Sequence, residues 1–389
     1  MNPLIPAPWD FDPPANLRIE DIRTVGGLAP YADAWADLLL QSPAASPMLS
    51  YPQISAFFET QVPASQTWLC LLAFEDGKLI ALLPLIAVRS FGALGLSILC
   101  LKTPYDILHT SGVDCLTVHG RENLIELFMD YLSRIPCAWP LIRLRELPGH
   151  SPSMVYLNRP GAKFHAVQNI CGYENYIEIP ATVEQFHAGL SSNFRRQVKR
   201  GGRKLEELKD VRFRCREATR STAENMRRFE EVEDAGWKGA GNSSIKAVEG
   251  NSKFYAIAAE RFQKHGWMEW NFLETGDQTI GAHYAVRMNR TVFLLKIAYD
   301  EAYSACSPGN QLLEKAIEHA CQAGDVAEIN CVSDCAWHKN WGMKKRTLHD
   351  LVILPDLPVI SALVSTLLNS KTFHQLKERR DKKSLPAIA

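Results

Sequence analysis

Apolar and polar positions fall into blocks along the chain, and the clearest block spans residues 267–332. Trp267 to Glu274 reads as a strand, Thr275-Gly276-Asp277-Gln278 as a tight turn, and Thr279 to Met288 as the returning strand. Met288-Asn289-Arg290 turns into a third strand, Thr291 to Tyr299. A polar loop, Ala302 to Pro308, follows, and Gly309-Asn310-Gln311-Leu312-Leu313 then opens a helix. Its buried face carries Leu312, Leu313, Ala316, Ile317 and Ala320, and Gly324 closes it. A short strand, Val326 to Val332, ends the block. This order sets a small-residue loop at the N-terminal end of a helix, where free N–H groups and the helix dipole favour a phosphate.

Upstream, a strand is expected at Leu17 to Arg23, helices at Pro30 to Leu40 and Gln53 to Thr60, and a hairpin across Trp68 to Leu85. That hairpin, with its turn Glu75-Asp76-Gly77-Lys78 and its return Leu79-Ile80-Ala81, aligns with Glu274 to Gly281 about two hundred residues later. The repeat predicts two copies of one fold, each hairpin at the centre of its own sheet. A strand at Ser97 to Leu101, a helix at Asn123 to Arg134 and a strand at Leu141 to Leu147 complete the first copy. Pro148 to Pro152 reads as the loop leaving it, and Gly172 to Ile179 as the next strand. Capping boxes at Thr182-x-x-Gln185 and Ser221-x-x-Glu224 start two helices, and Phe254 to His265 reads as another.

Leu190, Phe194, Val198, Leu205 and Leu208 lie on one face of a helix across residues 190–208. Its other faces carry Arg195, Arg196, Lys199, Arg200, Arg203 and Lys204, and Gly201-Gly202 is expected to weaken it midway. Two readings stay open: a surface that steers an anionic donor, acidic polysaccharide or RNA, or a solvated face partly neutralised by Glu206, Glu207 and Asp210.

Composition narrows the classes. A chain of 389 residues can bury two cores, and 43 basic against 43 acidic residues predict neither a nucleic-acid nor a membrane partner from bulk charge. The ten cysteines form no Cys-x-x-Cys pair. Cys331, Cys335 and His338 lack a fourth ligand at a recognisable spacing, so free thiols in a reducing cytoplasm, with no metal, are expected. No leader pattern opens the chain, and no apolar run reaches the roughly 18–20 residues that span a bilayer. Residues 1–16, with five prolines, read as a flexible arm. Residues 351–389 read as an apolar helix and a basic tail, which either packs on its own domain or lies on an anionic membrane surface.

Lys296-Ile297-Ala298-Tyr299-Asp300, Ser307-Pro308-Gly309 and Leu312-Leu313 together resemble the core of the GNAT acyltransferase superfamily. With Gly236-Trp237-Lys238-Gly239 and Leu144-Arg145-Glu146-Leu147-Pro148, the chain is similar to a two-lobed bacterial branch. That branch includes accessory acetyltransferases of cellulose and exopolysaccharide synthesis. The resemblance implies an α/β (α+β) chain of two tandem GNAT-like lobes, residues 17–165 and 166–350, each a mixed, mostly antiparallel sheet flanked by helices. The cleft would lie between them. The first lobe has Thr103-Pro104-Tyr105-Asp106 where a donor loop would stand, so it is expected to have lost donor binding.

The implied activity is acyl transfer from acetyl-CoA or another acyl-CoA to an amine or hydroxyl of a small molecule or saccharide. No metal is needed, and the setting is the cytoplasm, beside the exopolysaccharide-synthesis machinery. CoA pyrophosphate would sit on Ser307, Pro308, Gly309, Asn310, Gln311 and Leu312, and the third strand would splay from the fifth so that its backbone binds the pantetheine arm. A backbone N–H near Lys296–Ala298 would serve the thioester carbonyl. Similarity to Fem-type enzymes, which double this lobe and use charged tRNA, gives one alternative, and a catalytically silent accessory subunit gives another.

Acyl transfer needs a positioned acceptor, a base and a stabilised oxyanion. His283, in mid-strand, titrates near neutral pH and is the first candidate base, against a packed strand histidine. Lys296, in an apolar strand, needs a partner, for which Glu269 or Asp300 is expected. Tyr299 is the third catalytic candidate. Trp237, Lys238, Asp300, Tyr303, Asp334, Lys339, Tyr105 and Asp106 are carried as substrate-side candidates, some of which would instead cap turns. Asn330 stands where the resemblance implies an acid.

Overall fold

Two hairpins fold with the same irregularity. Strand β2 (Thr67–Glu75) returns through Asp76-Gly77 as β3 (Lys78–Phe91), and β9 (Met268–Thr275) returns through Gly276-Asp277 as β10 (Gln278–Met288). Gly77 and Gly276, at φ +80° and +55°, take the left-handed conformation that two-residue hairpin turns demand. In the first hairpin the register skips Ile80, between Phe74↔Leu79 and Ala73↔Ala81. In the second it skips Ile280, between Glu274↔Thr279 and Leu273↔Gly281. A one-residue bulge at equivalent positions is a designed feature of the backbone. It supports the reading of two copies.

These coordinates are a computed structural model that describes residues 15–354 except 43, 92–96, 107–109, 136–140, 160, 162 and 163. The expected arm at 1–16 lies outside the described residues up to 14, and the expected C-terminal helix and basic tail lie outside them from 355 onward. The chain divides into two compact units, 1–172 with 347–389, and 173–346.

The first unit begins with β1 (Leu17–Ile22), α1 (Val25–Leu28), α2 (Ala32–Gln41) and α3 (Tyr51–Thr60), then β2 and β3. After them come β4 (Ser97–Lys102), β5 (Leu116–Thr117), α4 (Leu124–Ser133), β6 (Leu141–Pro148), α5 (Pro152–Leu157) and the start of β7 (His165–Glu178). Strands β1 to β4 pair antiparallel in sequence order, and β4 pairs parallel with β6. Leu69 to Phe74 are all buried, the mark of a strand covered on both faces. On one face, Leu69, Leu71 and Ala73 belong to a core with Ile125, Phe128 and Leu132 of α4. Residues 149–151 leave β6 in the turn read as an exit loop, and α5 starts at Pro152, which fits the first turn of a helix.

The second unit contains α6 (Val183–Gly189), α7 (Ser192–Glu206), β8 (Val211–Arg214), α8 (Thr222–Asp234), α9 (Trp237–Ala240), α10 (Asn251–Lys264), β9 and β10. Then come β11 (Thr291–Tyr299), α11 (Pro308–Ala323), β12 (Glu328–Asn330) and the start of β13 (Lys344–Leu354). Thr182 and Ser221 cap α6 and α8 as expected, accepting from the N–H groups of Gln185 and Glu224. The pairing scheme repeats that of the first unit: β8 to β11 antiparallel in order, then β11 parallel to β12.

Within the first unit the strand order is β1-β2-β3-β4-β6-β13, with β5 on β3, and within the second it is β7-β12-β11-β10-β9-β8. Strand β7 begins before the expected Gly172, and β13, which the sequence pattern did not show, takes residues 351–354 from the expected C-terminal helix. A further correction concerns α7, which is one unbroken helix through Gly201 and Gly202. Among the described residues no helix is long and apolar enough to cross a membrane.

Candidate active site

Parallel pairing of β11 with β12 is brief. It joins Thr291, Val292 and Phe293 to Glu328, Ile329 and Asn330 and then stops, while β11 continues to Tyr299. Asn330, buried, accepts from the Val332 N–H at 2.7 Å, and Val332 takes φ +47°, which turns the chain out of the ladder. The splayed strand that the resemblance implied is present. Along the same stretch the β10–β11 register skips Leu295, between Ala285↔Leu294 and Tyr284↔Lys296. The Asp300 N–H donates to Ile280 O, so Ala298 and Lys296 face β10 by the two-residue alternation, and Ile297 and Tyr299 face the open edge.

The donor corner lies at the end of this strand. Ser307, in the left-handed region at φ +52°, turns the chain into α11, and Pro308 occupies the first helical position. No side chain caps α11, and the first backbone bond there is from Gln311 N–H to Ser307 O at 3.1 Å. A Cβ on Gly309 would stand 3.5 Å from the Tyr299 ring, so strand end and helix start are in contact range. Burial, and then Glu301, raise the Tyr299 pKa.

Helix α7 lies against this corner. A Cβ on Gly201 would come 2.7 Å from Cys306 O, and Gln311 Nε2 donates to Val198 O at 2.8 Å. Gly201 thus allows two backbones to meet where a weakened helix was expected. Beside it is a groove of about 550 Å³ lined by apolar residues such as Val198, Leu205 and Phe213, by the cations Arg195, Lys199, Arg203 and Lys315, and by the acids Glu206 and Glu314. Among the described residues, none of the six cations at 195–204 makes an ion pair with a carboxylate, Glu206, Glu207 and Asp210 included.

On the α8 side, Lys296 finds an acid the sequence reading did not name. Glu233 Oε1 accepts from Lys296 Nζ at 3.2 Å and from Lys238 Nζ at 3.0 Å, while its Oε2 accepts from the Ile245 N–H at 2.7 Å. Lys238 Nζ also donates to Ile297 O at 2.9 Å. The expected partners are engaged elsewhere. Glu269 faces Arg216 and Arg287 at 3.5 and 3.3 Å. Asp300 accepts from Ala302 N–H and Gln278 Nε2.

The remaining candidates scatter. His283 is 2 % exposed, its Nδ1 has no partner, and burial pulls its pKa down to about 3. It is a neutral packed histidine, not a base open to solvent. Tyr303 donates to Gln278 Oε1, and Asp300 caps the turn after β11. Asp334 holds Lys345 and Asn175, Lys339 is exposed on a 3-10 turn, and His338 Nδ1 accepts from the Cys335 N–H. In the first unit, Tyr105 donates to Glu146 Oε1 at 2.8 Å beneath the Arg145 guanidinium, and Asp106 bridges to Thr110. Trp237 is 40 % exposed, which removes its reading as a core anchor.

Residues 192–334 match a family model described as an acetyltransferase (GNAT) domain. That stretch, within the second unit, is similar to GNAT acetyltransferase domains. No curated protein matches it in sequence. Among solved structures it is similar to one reported as the crystal structure of FemX, at 8 % identity and a TM-score of 0.60, over 89 % of this chain and 100 % of that one. A conserved protein of unknown function from Bacteroides thetaiotaomicron VPI-5482 matches at 9 % identity and 0.53, over 87 % and 100 %. The C-terminal domain of a putative lysylphosphatidylglycerol synthetase from Agrobacterium fabrum matches at 12 % and 0.52, over 87 % and 96 %. At these identities the likeness speaks for the fold.

Proposed function

We propose that this protein transfers an acyl group, acetyl in the simplest case, from acyl-CoA to an amine or hydroxyl, with the donor held by the second unit. The observation that carries the reading is the open edge of β11 ending at the uncapped start of α11. The carbonyl of an extended amide-bearing arm can accept from the backbone N–H groups on this edge, at Ile297 and Tyr299, while the Ile297 carbonyl is taken by Lys238. The N–H groups of Gly309 and Asn310, with the helix dipole, favour a pyrophosphate beyond it. Pro308 contributes no donor, and Gly309 leaves room for close approach.

Tyr299, beside that corner, keeps its proton through the neutral range and is placed to donate it to a departing thiolate. His283 has no part in this scheme. The acceptor, a small molecule or saccharide in exopolysaccharide synthesis, follows from the resemblance of Gly236-Trp237-Lys238-Gly239 and its companions, as does a cytoplasmic setting.

A second reading, aminoacyl transfer from charged tRNA, is favoured by one specific observation, the six cations of α7 that have no acidic partner. The two separate in a thermal-shift panel of acetyl-CoA, longer acyl-CoAs, free CoA and aminoacyl-tRNA. An acyl-CoA at about 100 times its dissociation constant should add roughly 2.7 kcal/mol of stability. Stabilisation by tRNA alone would transfer the assignment to the second reading.

A further inference from the structure

Glu233 stands in the last turn of α8, where the helix dipole opposes a carboxylate, and its side chain has no solvent exposure. Burial would raise its pKa, yet Lys296 and Lys238 hold it below the ordinary range. A buried ion pair needs one cation for one carboxylate. Here two ammonium groups meet one carboxylate oxygen, with side-chain exposures of 9 % for Lys296 and 19 % for Lys238. Desolvating a second cation costs several kcal/mol, so an ion pair kept only for stability does not account for it.

The placement of the triad supplies a use. Lys238 sits in a segment pressed on the open edge of β11: a Cβ on Gly236 would be 2.6 Å from Tyr299 O, and one on Gly239 would be 1.9 Å from Asp234 O. Gly236 and Gly239 therefore bring Lys238 to Ile297 O, and β11 itself brings Lys296. Aromatic rings flank both cations, Trp237 at 5.8 Å from Lys238 Nζ and Tyr255 of α10 at 5.1 Å from Lys296 Nζ. Behind them Tyr284 of β10 donates to Tyr255 O.

We propose that Lys238 and Lys296 are catalytic residues that stabilise negative charge formed along this edge, and that Glu233 is the positioning residue holding both ammonium groups there. The inference rests on the acyl-CoA reading. In the step, the acceptor lone pair forms a bond to the thioester carbon, and the carbonyl π pair moves to oxygen. Collapse of the adduct then breaks the C–S bond, with its electron pair leaving on sulfur. The acceptor's proton passes to solvent, and the thiolate takes one from Tyr299. The two ammonium groups lower the energy of the oxyanion and the thiolate.

The test uses the full chain and acetyl-CoA alone, with water as acceptor, reading thiol release in a colorimetric assay and binding by calorimetry. Lys296→Met should lower the release rate by about 10²–10³-fold, the usual effect of losing an oxyanion stabiliser, with acetyl-CoA affinity within about three-fold. Lys296→Arg should restore part of the rate. Glu233→Gln removes the shared carboxylate that holds both ammonium groups, so kcat for thiol release should fall while KM for acetyl-CoA stays within about three-fold, and Glu233→Asp should restore part of the rate. If Glu233→Gln fails to fold, the Met and Arg variants of Lys296 decide. Release within a few-fold of wild type in Lys296→Met and Lys238→Met, with binding intact, would overturn the inference and leave the donor reading standing. Binding without any release by wild type would also overturn it. Failure of wild type to bind acetyl-CoA would remove the donor reading and this inference together.

Discussion

Gly201 packs against the carbonyl of Cys306 so closely that a Cβ at Gly201 would come within 2.7 Å of that oxygen. The contact is backbone against backbone, so neither side can yield cheaply, and it locks α7 onto the turn that leads into the donor corner. Gly201→Ala should cost about 1–3 kcal/mol, the range for overpacking, and weaken acyl-CoA binding. Gly202→Ala meets only the end of the Gln311 side chain, at 3.2 Å, and should cost less. Thermal melts of the two variants check the order, and equal losses would contradict it.

The same contact shows where sequence reading stops. A glycine pair in a helix signals weakness by propensity, and only the fold reveals that these glycines serve a close crossing. The organising hairpin, the strand at Thr291–Tyr299 and the helix closed by Gly324 were legible because each rests on local patterns. Glu233 was not legible. Its partners lie 5 and 63 residues away in sequence, and no periodicity couples a helix end to a strand that distant. Only the apolar surroundings of Lys296 signalled that some acid had to exist. The fate of β13 was hidden for a related reason: pairing Leu348 to Ile353 with β6 is a choice among strands made by the whole fold.

His283 should act on stability instead of turnover. Its folded-state pKa, about 3, lies below the ordinary 6.5 because burial disfavours the charged ring. The unfolded chain therefore binds a proton that the folded chain does not. The His283 contribution is fully present above pH 6.5 and is lost as pH falls toward 3, at a slope approaching 1.4 kcal/mol per pH unit. Chemical denaturation between pH 7 and pH 4.5 should show a shallower acid loss in His283→Gln than in wild type. An unchanged slope would show that other groups carry the acid loss.

The cations of α7 should be nearly silent in folding. Replacing Arg195, Lys199 and Arg203 with alanine breaks no ion pair, so each change should shift stability by no more than about 0.5 kcal/mol. If the groove takes a polyanion, affinity for tRNA in the variant should fall, and so should its dependence on salt. Anisotropy with labelled tRNA at two salt concentrations measures both. Unchanged tRNA behaviour would remove the main support for the second reading.

Gly309 offers the most direct measurement of the central claim, that the start of α11 holds the donor's pyrophosphate. A side chain there has only ordinary contact with Tyr299, so Gly309→Glu should fold while placing bulk and negative charge at the corner. Gly77 would be a poor control, because its φ of +80° penalises any side chain. Gly149 has open space, no positive φ and a place in the first unit, and Gly149→Glu is the better control. Calorimetric titration of acetyl-CoA should show near wild-type affinity in Gly149→Glu and loss of about 100-fold or more in folded Gly309→Glu, equivalent to roughly 2.7 kcal/mol. Equal acetyl-CoA affinity in the two variants would contradict the assignment of the donor to this corner.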